Sequence, residues 1–346
     1  MSQLPENRHI ALWLFTLAFF VALMVLVGGL TRLTDSGLSI TEWRPIMGIM
    51  PPLTAADWQS EFSKYQQIPE YQRVNMGMNL ADFKFIYWWE WAHRFLGRII
   101  GLIYAVPLLI FWRRGTFARA KNRWVHHPLL TMFALGGLGA AQGFMGWYMV
   151  KSGLVERVDV SQYRLAAHLG LAFIIFALCY WFGLSYWRTA KQRNSGLAIF
   201  SGGILGILLL AQSLLGALVA GLHAGLSYND WPFMDGDLWP SGLLAQSPLW
   251  RNFFENHLTV QFNHRVLAYL LVVLAAIHIF YILRGAFSSA AKRSAVLLAG
   301  AVLAQILLGI LTLIWGIPMG LAVAHQLGAV LVVGLWVTHI HLLRYQ

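Results

Sequence analysis

Eight stretches of about 20 consecutive apolar residues recur along this 346-residue chain, near 10–30, 91–112, 129–150, 165–184, 197–222, 263–283, 295–315 and 322–343. Each is long enough to cross the hydrocarbon core of a bilayer as a helix. The stretches are apolar on all sides and do not alternate, so lipid-facing barrel strands are excluded. The composition agrees: 58% of residues are hydrophobic and only 11% are charged, against about a quarter charged in an ordinary soluble domain. The expected fold is an all-α membrane protein whose eight transmembrane helices form two duplicated four-helix bundles.

An even number of spans puts both termini on one side. The loops and ends on that side carry Arg8, Arg113, Arg114, Arg119, Lys121, Arg123, Arg188, Lys191, Arg193, Arg284, Lys292, Arg293 and Arg344, opposed by the single acid Glu6. The other 12 basic residues share the opposite side with 13 of the 14 acids. The formal charge of +11 is therefore an orientation signal that places both termini in the cytoplasm, and no nucleic-acid partner is expected. With nine residues before the first span, a transit peptide is not expected, and the bacterial inner (cytoplasmic) membrane is the expected location. The lone Cys179 leaves no intrachain disulfide and no thiolate metal cluster.

Short motifs recur in the same order in both halves. Val27-Gly28-Gly29-Leu30, Gly37-Leu38-Ser39 and Trp43-Arg44-Pro45 follow span 1; Val219-Ala220-Gly221-Leu222, Gly225-Leu226-Ser227 and Trp231-Pro232 follow span 5. Span 3 carries Ala141-Gln142 with Gly146, and span 7 carries Ala304-Gln305 with Gly309. His93-Arg94-Phe95-Leu96 matches His264-Arg265-Val266-Leu267. The chain reads as an N-terminal half, 1–190, and a C-terminal half, 191–346, and four-helix units build cofactor sites between facing helices.

Under this repeat His93 pairs with His264 and His168 with His325, one on each even-numbered span and all toward its outer end. Imidazoles from two facing helices can take both axial positions of a heme iron, and apolar walls suit the macrocycle. Two heme sites follow, His93 with His168 and His264 with His325. Zinc is disfavoured because no further ligands accompany each pair. A competing pattern places His278 and His339 each 14 residues after His264 and His325, about 21 Å along a helix, as in a cytochrome that stacks hemes across a membrane.

The halves differ at one carboxylate. Glu90 lies three residues before His93, where Gln261 precedes His264; that spacing keeps both side chains on one face. A poorly solvated carboxyl beside the site could accept or hold a proton, and an ion pair with Arg94, Arg98 or Lys84 is the plainer alternative. Arg94, Arg98 and Arg265 are candidate partners for heme propionates.

The run Glu90-Trp91-Ala92-His93-Arg94-Phe95-Leu96-Gly97-Arg98, with Asn263-His264-Arg265 and the loop motifs above, resembles the heme A synthase family over nearly the whole chain. The resemblance implies oxidation of a ring methyl of heme O to a formyl group by successive hydroxylations. It implies His93 and His168 as ligands of the substrate heme in the N-terminal half, His264 and His325 as ligands of a heme B cofactor that takes the electrons onward, and Glu90 as the catalytic acid or base. Some members carry an outer-loop cysteine pair, which this chain lacks. Expected partners are heme O, membrane lipid, an electron acceptor and a heme O-forming farnesyltransferase, with homo-oligomers allowed. The rivals are a b-type diheme electron-transfer cytochrome and a heme transporter or chaperone.

Overall fold

The structure is a computed structural model describing residues 5–44, 47–120, 125, 127–188 and 196–345. Lys121, Arg123, His126, Lys191 and Arg193, together with Pro45 of the first loop motif, lie outside the described residues.

Eight long helices form: α1 Pro5–Leu33, α2 Leu80–Arg113, α3 Pro128–Glu156, α4 Gln162–Trp187, α5 Gly196–Gly221, α6 His257–Arg284, α7 Ser289–Ile314 and α8 Met319–Arg344. All eight are long and apolar enough to span a membrane, and no named strand occurs among the described residues. This is a multi-pass membrane protein. Seven spans start within about a turn or two of their apolar runs; α2 starts at Leu80, well before the run at 91. The cause is local. Asn79 Oδ1 accepts from the N–H groups of Ala81 and Asp82, a side-chain cap that satisfies otherwise orphaned donors and starts the helix in polar sequence. Asn256 caps α6 the same way, accepting from Leu258 and Thr259.

In the first half α1 packs on α2 and α4, and α3 on α4, with a lighter contact between α2 and α3. In the second half α5 packs on α6 and α8, and α7 on α6 and α8. Each half is thus a ring of four in which the even helices face each other across the interior. The halves meet where α4 touches α5 and α8, and where α1 touches α8. Lipid tails are as apolar as these side chains, so small residues that permit close approach drive such contacts. Phe15 of α1 fits against Gly183 of α4, where an added Cβ would lie 2.6 Å from the ring.

The long connections 34–79 and 222–256 cap the same end of the molecule. The first contains helices Ala55–Tyr65 and Pro69–Arg73, and its apolar side, with Trp58, Phe62 and Tyr65, packs on Phe83, Ile86 and Tyr87 of the extended first turns of α2.

Candidate functional site

The four histidines on the even helices occupy matching environments. All are half-buried, and each ring lies against a glycine of the preceding long helix. A Cβ added to Gly146 would sit 3.0 Å from Cε1 of His168, one on Gly216 3.1 Å from Cε1 of His264, and one on Gly309 2.8 Å from Cε1 of His325. His93 lies against Gly28, with Nε2 as the nearest atom at 3.2 Å. His93 is within electrostatic reach of His168, and His264 of His325. Two facing imidazoles, a glycine recess behind each ring and a buried His168 Nδ1 with no partner among the described residues suit a donor set for heme iron.

One turn before three of those glycines stands a glutamine that the half-to-half comparison finds only twice. Gln142 Nε2 donates to the His168 carbonyl at 3.0 Å, Gln212 Nε2 to the His264 carbonyl at 3.0 Å, and Gln305 Nε2 to the His325 carbonyl at 2.7 Å. The same amide nitrogens lie 3.1–3.3 Å from ring nitrogens of those histidines. The signal is Ala-Gln-x-x-x-Gly at 141–146, 211–216 and 304–309. The copy in α5 escapes notice because spans 1 and 5 align on Gly29 and Gly221 instead.

Glu90 is 2% exposed and fully engaged. Its Oε2 accepts from Ser39 Oγ at 2.8 Å and from the Ile40 N–H at 2.7 Å. Its Oε1 accepts from Arg94 Nε and Nη2 at 3.0 and 2.6 Å. Arg94 also donates to the carbonyls of Ile40 and Glu42. The second half repeats the device with an amide: Gln261 Oε1 accepts from Arg265 Nη2 at 2.7 Å, and Gln261 Nε2 donates to the carbonyls of Ala224 and Tyr228. Arg265 further donates to the carbonyls of Tyr228, Asp230 and Phe233. Each acid or amide therefore fastens the loop after α1 or α5 to the following even helix. Arg94 and Arg265 are committed to these loops, while Arg98 donates to the Arg44 carbonyl. A cavity of about 260 Å³ opens beside Arg94, lined also by Glu42, Trp43, Trp147 and Lys151.

The competing pattern at His278 and His339 does not leave room for an iron between them. His278 Nε2 and His339 Nε2 are 2.9 Å apart and hydrogen-bonded, whereas two axial nitrogens across an iron need roughly 4 Å, twice a metal–nitrogen bond of about 2 Å. Their outer nitrogens are bonded to Ser201 and Ser294, so the four residues form a closed buried polar chain. His339 and His341 are 0% and 1% exposed, buried inside the protein. His9, His127 and His257 are exposed. His223 joins Arg32, Asp35 and Asp159 at the capped end. Arg32 supplies the positive charge there, bonded to both carboxylates.

Eight helices long and apolar enough to cross a membrane, with a half-buried histidine on each even one, define a multi-pass membrane protein whose residues suit heme between helices. The family described as cytochrome oxidase assembly protein (COX15-CtaA) matches residues 11–337. Heme A synthase of Parvibaculum lavamentivorans is 51% identical over 343 residues, 99% of this chain and 96% of that protein. Heme A synthase of Sinorhizobium medicae is 50% identical, covering 96% and 89%, and that of Beijerinckia indica is 48% identical, covering 97% and 93%. The chain belongs to the heme A synthase family. It is an oxidoreductase, since the enzymes of this family convert heme O to heme A by oxidising a CH group.

Proposed function

We propose that this chain oxidises a ring methyl of heme O to a formyl group by successive hydroxylations. Each takes its oxygen from water as two electrons and two protons leave, and the resulting geminal diol then loses water. The electrons pass through heme B bound in the C-terminal half to an external electron acceptor. The observation that carries the division of labour is the carboxylate at Glu90 where the otherwise matching second half has the amide of Gln261. Heme B, when bound, supplies a one-electron acceptor that can pass charge onward. His264 and His325 would hold it, and His93 and His168 would hold the substrate. Glu90 is the proposed catalytic acid or base, set by Ser39, Ile40 and Arg94 at the mouth of the N-terminal half. Arg98, with Arg94 and Arg265 as loop braces that also raise the local positive potential, is the proposed contact for propionates. Lys151 lines the same mouth as Arg94, which supports carboxylate recognition there.

The working units are residues 1–190 for substrate and 191–346 for cofactor. The charge bias supports a bacterial inner membrane location with both termini cytoplasmic and the heme sites toward the periplasm. Proposed partners are the heme O-forming farnesyltransferase, an electron acceptor and, for assembly, further copies of the chain. The diheme cytochrome reading loses its main support with the direct His278–His339 hydrogen bond.

The test uses the full-length protein co-expressed with a heme O-forming enzyme, followed by chromatography of the extracted hemes. Heme A, or hydroxylated heme O, beside heme B is expected from the parent chain. Glu90→Gln, which copies the second half, should retain heme B and a folded loop but lose product formation by at least the ~100-fold attributed to a general acid or base. Heme A made at the parent rate by Glu90→Gln would refute the assigned role, and heme B alone in every preparation would favour a binding protein.

A further inference from the structure

Three of the four ligand histidines on this reading share one recess design, and the fourth departs from it. Gln142, Gln212 and Gln305 each stand four residues before the glycine that receives the ring, a spacing that puts both on one helix face. Each ties the carbonyl of its histidine across to the preceding helix and lies against the imidazole edge. Their Oε1 atoms are buried and have no partner among the described residues, so nothing else in the described protein competes for these amides.

In α1 the residue four before Gly28 is Met24. It occupies the matching place: its Cε lies 3.5 Å from where a Cβ on Gly97 would be, one turn along α2 from His93. A thioether cannot donate a hydrogen bond. His93 correspondingly makes no side-chain hydrogen bond among the described residues, and it turns Nε2 rather than Cε1 toward its glycine. Three imidazoles are held by an amide and one is held by packing alone.

The functional requirement is unequal in the same direction. A cofactor stays through every turnover, whereas a substrate heme must enter and its product must leave, which requires an axial ligand to let go. We propose that His93 is the exchangeable axial ligand of the substrate heme, that Gln142 fixes His168 as the retained one, and that Gln212 and Gln305 make both ligands of the second pair permanent. Gln142, Gln212 and Gln305 are positioning residues here, because they act through the histidines. The inference rests on the proposed assignment of the two heme pairs.

The test compares detergent-purified enzyme prepared with and without heme O. Carbon monoxide is added to the reduced protein, since it takes an axial position only where a protein ligand releases it. Carbon monoxide should bind in proportion to heme O and leave heme B six-coordinate. His93→Ala should retain heme O in a high-spin, five-coordinate form, whereas His168→Ala should lose it. Met24→Gln should slow carbon monoxide binding roughly five- to tenfold, the worth of one hydrogen bond, and Gln142→Met should hasten it. Should Met24→Gln express poorly, Gln142→Met and the histidine pair carry the same comparison alone.

Equal carbon monoxide binding at heme O and heme B would overturn the proposal, as would equal loss of heme O from His93→Ala and His168→Ala. If neither histidine variant changes the amount or spectrum of heme O, the pairing of His93 with His168 fails, and the exchange order falls with it.

Discussion

At the scale of single residues, two buried carboxyls sit close together under opposite conditions. Glu90 accepts four hydrogen bonds, two of them from Arg94, so its charge is compensated where it stands. Glu70, in the cap helix Pro69–Arg73, is 4% exposed and its Oε2 has no partner among the described residues. Burial, aided by the charges of Glu90, Asp159 and Asp35, pushes its pKa from 4.5 up to about 8. The folded cap therefore holds a proton that the unfolded chain releases. Its stability is greatest below the ordinary carboxylate pKa and declines as pH rises toward 8. Glu70→Gln removes this titration, so the variant should match the parent at about pH 4 and unfold at higher temperature than the parent above about pH 8. Thermal unfolding across that range checks it. A variant destabilised equally at every pH would mean that folding does not shift the Glu70 titration and that the loss is one of packing.

At the scale of helices, the long apolar runs, their order and the placement of histidines on even spans were all legible, because a membrane span announces itself by length and hydropathy alone. Three things were not. The early start of α2 depends on the Asn79 cap, which periodicity does not weigh. The third Ala-Gln-x-x-x-Gly copy was hidden by aligning α1 with α5 on their terminal glycines. The His278–His339 contact depends on how α6 and α8 approach, and a shared offset of 14 residues cannot distinguish a direct hydrogen bond from a gap wide enough for iron. The glycine recesses give a prediction at this scale. Helix propensity alone favours Ala over Gly by about 1 kcal/mol, and Gly203 has nothing within 4 Å of an added Cβ. Gly203→Ala should therefore be neutral or stabilising. Gly309→Ala would set its methyl 2.8 Å from Cε1 of His325, so the ring must move. The expected result is a folded protein with heme B content reduced severalfold, read from the pyridine hemochrome of purified protein. Unchanged heme content in Gly309→Ala would remove His325 from the ligand set.

At the scale of the molecule, the two halves are joined along α1, α4, α5 and α8 by apolar contacts and at the capped end by a polar cluster. Arg32, closing α1, bonds Asp159 in the α3–α4 turn at 2.9 Å, and it also donates to the Ala220 carbonyl near the end of α5 at 3.1 Å. His223, just beyond α5, lies 2.8 Å from the same Asp159 oxygen. Burial works against the Asp159 charge, but the His223 hydrogen bond and the Arg32 charge outweigh it and hold its pKa below the usual 3.8. A carboxylate with a depressed folded pKa contributes stability that is complete above the unfolded value and is lost as pH falls through the folded one. Asp159 and its partners are partly exposed, so solvent screening limits the tie to about 1 kcal/mol. Asp159→Asn should lower the unfolding temperature by a constant small amount above about pH 5, and the difference should vanish below about pH 3. High salt should shrink it as well, since exposed ion pairs are screened. A deficit that persists in acid would assign the loss to packing in the α3–α4 turn and not to the charge that links the two halves.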